Sequence, residues 1–87
     1  MSNKLNKDSI NFEFEDNSIL INLFGRHNQN LLFIEKMNNV SIDHRGNKIS
    51  IVGNKESIHD THMILKNLYE NIKRGEEIDE EKIKDAK

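Results

Sequence analysis

"FGRHNQN", residues Phe24 to Asn30, decides how this chain folds. It separates two apolar runs, "SILINLF" at 18–24 and "LLFIEKM" at 31–37, each spaced for one face of a helix. Gly25 stops the first helix because glycine reaches the positive φ of a C-terminal cap at little cost. Asn28 is of the residue types that cap the second. Reading outward, the segment predicts two short helices, 17–24 and 29–38, joined by a tight polar turn. The first buries Ile19, Leu20, Leu23 and Phe24; the second turns Leu31, Leu32, Ile34 and Met37 to an apolar side.

On the N-terminal side, Ile10, Phe12 and Phe14 alternate with Asn11, Glu13 and Glu15, the period of two of a strand with one wet face, so 10–15 reads as a strand. Residues 1–9 read as a flexible tail, with no apolar run or cleavage site of a secretory signal. On the C-terminal side, Val40 and Ile42, then Ile49 and Ile51, alternate with polar residues around "HRGN" (44–47). The Gly46-Asn47 pair is expected to supply the positive φ angles of a tight hairpin. Asn54 then offers a cap to an amphipathic helix in which Ile58, Thr61, Leu65, Leu68 and Ile72 repeat at helical spacing, stopped by Gly75 after Lys73 and Arg74. The remainder, 76–87, reads as an acidic linker or helical extension capped by Asp79 and lying outside the core.

The order is β-α-α-β-β-α, a two-layer α+β domain over 10–75 with a three-stranded sheet packed by three helices. With 87 residues there is room for a single core. An apolar fraction of 34% and a charged fraction of 32% fit a folded domain with a polar surface. The chain has no cysteine, which excludes disulfides and thiolate chemistry and favours a cytoplasmic setting. Its longest apolar runs fall far short of a bilayer span, so no membrane partner is expected.

Net charge is −2, which argues against strong nonspecific binding of polyanions. That charge is sorted along the chain. Residues 25–55 carry Arg26, Lys36, Arg45, Lys48 and Lys55 against Glu35 and Asp43, whereas 76–87 carry six carboxylates against three lysines.

In this order of elements, Gly25-Arg26-His27-Asn28 stands where a K homology domain of type I carries its G-x-x-G loop, with Asn28 replacing the second glycine. A glycine-led turn running into a helix N-terminus presents amides that can receive phosphate, and Arg26 adds a full charge. By the same resemblance, Arg45 and Lys48 of the hairpin border the other side of a nucleic-acid groove, joined by His27 and His44. The bland reading of these residues is a pair of solvated turns.

Several separated landmarks resemble the N-terminal domain of PhoH-like ATPases over residues 12–83: Phe14-Glu15-Asp16-Asn17, Leu23-Phe24-Gly25, His27 with Asn30-Leu31, Arg45-Gly46-Asn47, Gly53 and Gly75. The resemblance implies a longer, oligomeric parent in which 76–87 lead toward a C-terminal ATPase domain that binds ATP and magnesium. No G-x-x-x-x-G-K-[ST] occurs in this sequence, so no cofactor and no ATP hydrolysis are expected of these residues. Single-stranded RNA is the implied partner, contacted by Gly25, Arg26, His27, Asn28, Arg45 and Lys48. The alternative is a protein–protein docking or oligomerisation module of the same ATPase.

Other candidates carry less. His59 and His62 lie on adjacent turns beside Asp60, but no third ligand is placed, so no metal is expected. Glu13, Glu15 and the tail carboxylates have no nucleophile nearby, so no catalytic residues are expected. Phe12, Phe14 and Phe24 fall on core faces; Phe33 falls off the Leu31/Ile34 stripe and reads as the exposed aromatic.

Overall fold

The computed structural model of the protein describes residues 8–86. Strand β1 (Asp8–Glu13) leads through a 3-10 turn (Asn17–Ile19) to α1 (Leu20–Phe24). A second 3-10 turn (Arg26–Asn28) leads to α2 (Gln29–Asn38). Strands β2 (Ser41–Arg45) and β3 (Lys48–Gly53) form the hairpin, followed by α3 (Lys55–Lys73) and α4 (Glu80–Ala86). The sheet is antiparallel in the order β1-β3-β2, giving a small α+β domain with three strands and four helices among the described residues.

The strands form where alternation sends Ile42, Ile49 and Ile51 to one face, buried against the helices, and their neighbours to the other. β1 sits two residues earlier than its pattern predicts. Asp8 and Ser9 pair with Gly53 and Val52, so the expected tail reaches no further than residue 7, and residues 1–7 lie outside the described residues. The strand ends at Glu13 because pairing passes to the hairpin loop: the Phe14 N–H donates to the Asn47 carbonyl at 3.0 Å, and the Asn47 amide donates back to the Phe14 carbonyl. Asn47 therefore serves the hairpin through these bonds. Of the pair, Gly46 alone has a positive φ, 57°, which corrects the expectation for both.

The expected helix 17–24 opens as a 3-10 turn capped by Asp16, whose carboxylate accepts from the Ser18 N–H at 2.9 Å. α3 is capped as predicted, the Asn54 side chain accepting from the Ser57 N–H at 2.8 Å. Its five stripe residues, Ile58, Thr61, Leu65, Leu68 and Ile72, are all buried. At its far end Gly75 takes φ 92°, and the Gly75 and Glu76 amides return to the carbonyls of Ile72 and Asn71.

Three further expectations need correction. Leu32 is 53% exposed, because Asn30, not Leu32, shares the inward face of α2 with Leu31 and Ile34. Phe33 is partly buried and packs against the core. The acidic tail joins the core: α4 is capped by Asp79 and packs on α2 and α3 with Ile83 fully buried, while Glu80, Glu81, Lys84 and Asp85 stay exposed. Ile83 anchors this helix, with Ile78 and Ala86 packed partly buried against the core beside it, and burying one isoleucine is worth about 1.5–3 kcal/mol. No described helix is long and apolar enough to cross a membrane.

Candidate nucleic-acid interface

The joint between α1 and α2 is built around one buried amide. Asn30 is 6% exposed, and its Nδ2 donates to the Leu23 carbonyl at 3.2 Å and toward that of Asn22 at 3.5 Å, satisfying the end of α1. A Cβ on Gly25 would stand 2.8 Å from that nitrogen. Gly25 is thus required twice, by its φ of 80° and by the space Asn30 occupies.

Beyond Gly25 the backbone is held in an uncommon state. His27 and Asn28 take φ of 54° and 59°, two consecutive non-glycine residues in the left-handed region. Each costs about 1–3 kcal/mol unless its surroundings hold it, and such residues cluster at ligand clamps. The Asn28 N–H closes on the Gly25 carbonyl at 3.0 Å, and the Gln29 N–H on that of Arg26. Asn28 occupies the cap position of α2 as expected but makes no side-chain cap bond, because a left-handed backbone aims the side chain away from the amides that an extended cap would reach. Arg26, His27 and Asn28 are all exposed.

Phe24, the last residue of α1, packs its ring 4.3 Å from that of His44 in β2. Gly25 and Arg26 follow Phe24, and Arg45 follows His44, so the joint and the end of edge strand β2 meet at one edge of the sheet. Alternation then divides the cations. His44 faces the helices with Ile42, whereas Arg45 and its cross-strand partner Lys48 belong to the opposite, open face with Asp43 and Ser50. Lys48 also lies 3.9 Å from Glu13 across the sheet, both exposed, a pairing of little energetic weight. Alternation therefore puts His44 on the helix side of the sheet, against the end of α1 that runs into Gly25 and Arg26, and Arg45 with Lys48 on the open face.

Asn30 and the Phe24–His44 contact escaped the candidate set. An asparagine on the apolar stripe of α2 was the visible signal for the first; the second joins residues twenty apart and depends on tertiary packing alone. His62 is half-buried against Phe12 at a ring distance of 4.3 Å, and burial, with Lys66 and His59 nearby, lowers its pKa below the ordinary 6.5. None of the four glycines opens a P-loop, and the described residues contain no group of three or more His, Cys, Asp or Glu able to hold a metal ion.

Fold and joint together define a small α+β domain whose strained helix–helix turn is set against the end of an edge strand. No protein-family model matches the chain, and neither a curated protein nor a solved structure matches it.

Proposed function

We propose that this chain is a K homology-like domain of type I that binds single-stranded RNA weakly, as the N-terminal accessory domain of a cytoplasmic PhoH-like ATPase. Its binding surface is the Gly25–Asn28 joint with the Arg45–Lys48 hairpin end. The observation that carries this reading is the Phe24–His44 contact, which sets the joint beside the hairpin. The antiparallel order β1-β3-β2, with two helices inserted between β1 and β2, supports it further. Phosphates would be received by the exposed backbone of the joint and by Arg26, with bases lying toward His44 and β2.

A second reading has its own support. Ile21 is 73% exposed and Leu32 53% exposed, on the two helices that flank the joint, and Arg45 and Lys48 belong to the open face of the sheet. Exposed apolar residues beside a near-neutral surface suit a docking module that helps assemble the ATPase.

Fluorescence anisotropy of a labelled single-stranded RNA dodecamer across a salt series separates the two. RNA binding gives a log–log slope of roughly −0.7 for each phosphate contacted. Arg26→Glu with Arg45→Glu abolishes binding if both loops contribute; unchanged affinity removes the two-loop surface. Absence of any binding at low salt leaves the docking module.

A further inference from the structure

Between α2 and α4 runs a groove lined by Phe33, Lys36 and Met37 of the first helix and Lys84 of the second. Phe33 and Met37 stand four residues apart and are partly buried, so together they floor the groove along one ridge of α2. Leu32 and Lys36 form the next ridge, and Leu32 is largely exposed. Apolar surface left open inside a charged rim marks a contact site.

The rim carries one sign of charge. Lys36 and Lys84 are exposed, neither enters an ion pair among the described residues, and no described carboxylate lines the groove. Glu35, next to Lys36 in sequence, turns instead to the sheet, where its carboxylate accepts from the Ile42 N–H at 2.6 Å. On α4, Glu80 and Glu81 lie about one turn before Lys84 and stay outside the lining. The other lysine of that helix, Lys82, is the one already neutralised, by Glu76 at 2.6 Å.

We infer that this groove docks an amphipathic helix of a partner protein, whose apolar ridge lies over Phe33, Met37 and Leu32 and whose carboxylates meet Lys36 on one wall and Lys84 on the other. A helix is the fitting shape, because both walls are helices and the ridges of one helix pack into the grooves of its neighbours. The unbranched Met37 side chain adapts to what enters, and the stems of the two lysines extend the apolar floor. Charge selects the acidic partner. At ten residues, α2 is about 15 Å long and spans nearly three turns of the incoming helix. A second copy meeting this face across a two-fold axis brings the same two lysines from both sides, with no lining carboxylate to receive them. Single-stranded nucleic acid stacks on aromatic faces, and the one such face here, Phe33, is partly buried. The groove lies past the α1–α2 joint along α2, and its occupation does not depend on RNA binding at that joint.

The test titrates the 15N-labelled chain at low salt with a fourteen-residue helical peptide carrying leucine on one face and glutamate along its flanks. Its lysine-flanked counterpart, a scrambled peptide of the same composition, and the RNA dodecamer are run beside it. The expected result is amide shifts at Phe33, Lys36, Met37 and Lys84 with the patterned glutamate peptide alone. Lys36→Glu with Lys84→Glu weakens that binding about tenfold, whereas Lys36→Arg with Lys84→Arg retains it. Both lysines are exposed, so neither pair of substitutions disturbs the core. Arg26→Glu with Arg45→Glu leaves the peptide response as it was, which keeps this result separate from RNA binding at the joint. Equal response to the glutamate and lysine peptides, equal response to the scrambled one, or no response to any would overturn the proposal. So would RNA shifting the same four amides, a dimer of the chain protecting them, or unchanged affinity in the charge-reversed variant.

Discussion

The side-chain amide of Asn30 fills the space that a side chain on Gly25 would need, with 2.8 Å between its nitrogen and the Cβ position. Each residue makes the other workable. Gly25 admits the amide, and the amide closes the carbonyl end of α1 at Leu23. Gly25→Ala is expected to cost about 2–4 kcal/mol, combining positive-φ strain with the clash. Asn30→Ala costs about 1–3 kcal/mol by leaving a buried carbonyl unsatisfied. The double variant loses less than the sum, because the alanine at 30 removes the clash. Urea unfolding of the four proteins measures the coupling, and strict additivity would refute it.

Ile83 ties α4 to the body of the domain. Ile83→Ala empties a fully buried site and is expected to destabilise the whole domain by about 2–5 kcal/mol in a single transition. Exposed Lys84→Ala, one residue along, changes stability by less than about 0.5 kcal/mol. If denaturation of the Ile83 variant matches the parent, the helix is an appendage and not part of the core.

His62 gives stability a pH dependence of known sign. Its folded pKa lies below the ordinary 6.5 because burial against Phe12 disfavours the charged ring, with Lys66 and His59 adding to the effect. The unfolded chain therefore binds the proton more readily. The contribution is fully present above pH 6.5 and is lost as pH falls through the lowered folded value. A His62→Gln variant should show a flatter melting temperature between pH 7 and pH 5 than the parent. The difference between the two curves is the readout, because it cancels the other titrating groups. Parallel curves would mean that the ring protonates equally well in both states.

The order of elements was legible in the chain because its signals are local. A period of two marked the strands, a helical period marked α3, and Gly25, Asn54 and Gly75 punctuated them at one-residue resolution. Those signals depend on neighbours within a few positions, and they identified the joint as the unusual segment.

What only the tertiary structure decided is what lies across space. Alternation puts His44 on the face of Val40 and Ile42 and Arg45 on the other, but it does not say that Phe24 of α1 packs its ring against His44. Ile83 reads as one of a few apolar residues scattered in a charged tail; its burial follows from α4 packing on α2 and α3. Glu35 closes one edge of the sheet through a bond between a helix and a strand, which no local pattern records. Local backbone preference is written in short stretches of sequence, whereas the pairing of faces is settled by packing many residues at once, and it is that packing which sets the α1–α2 joint beside β2 and leaves β1 at the edge of the sheet among the described residues.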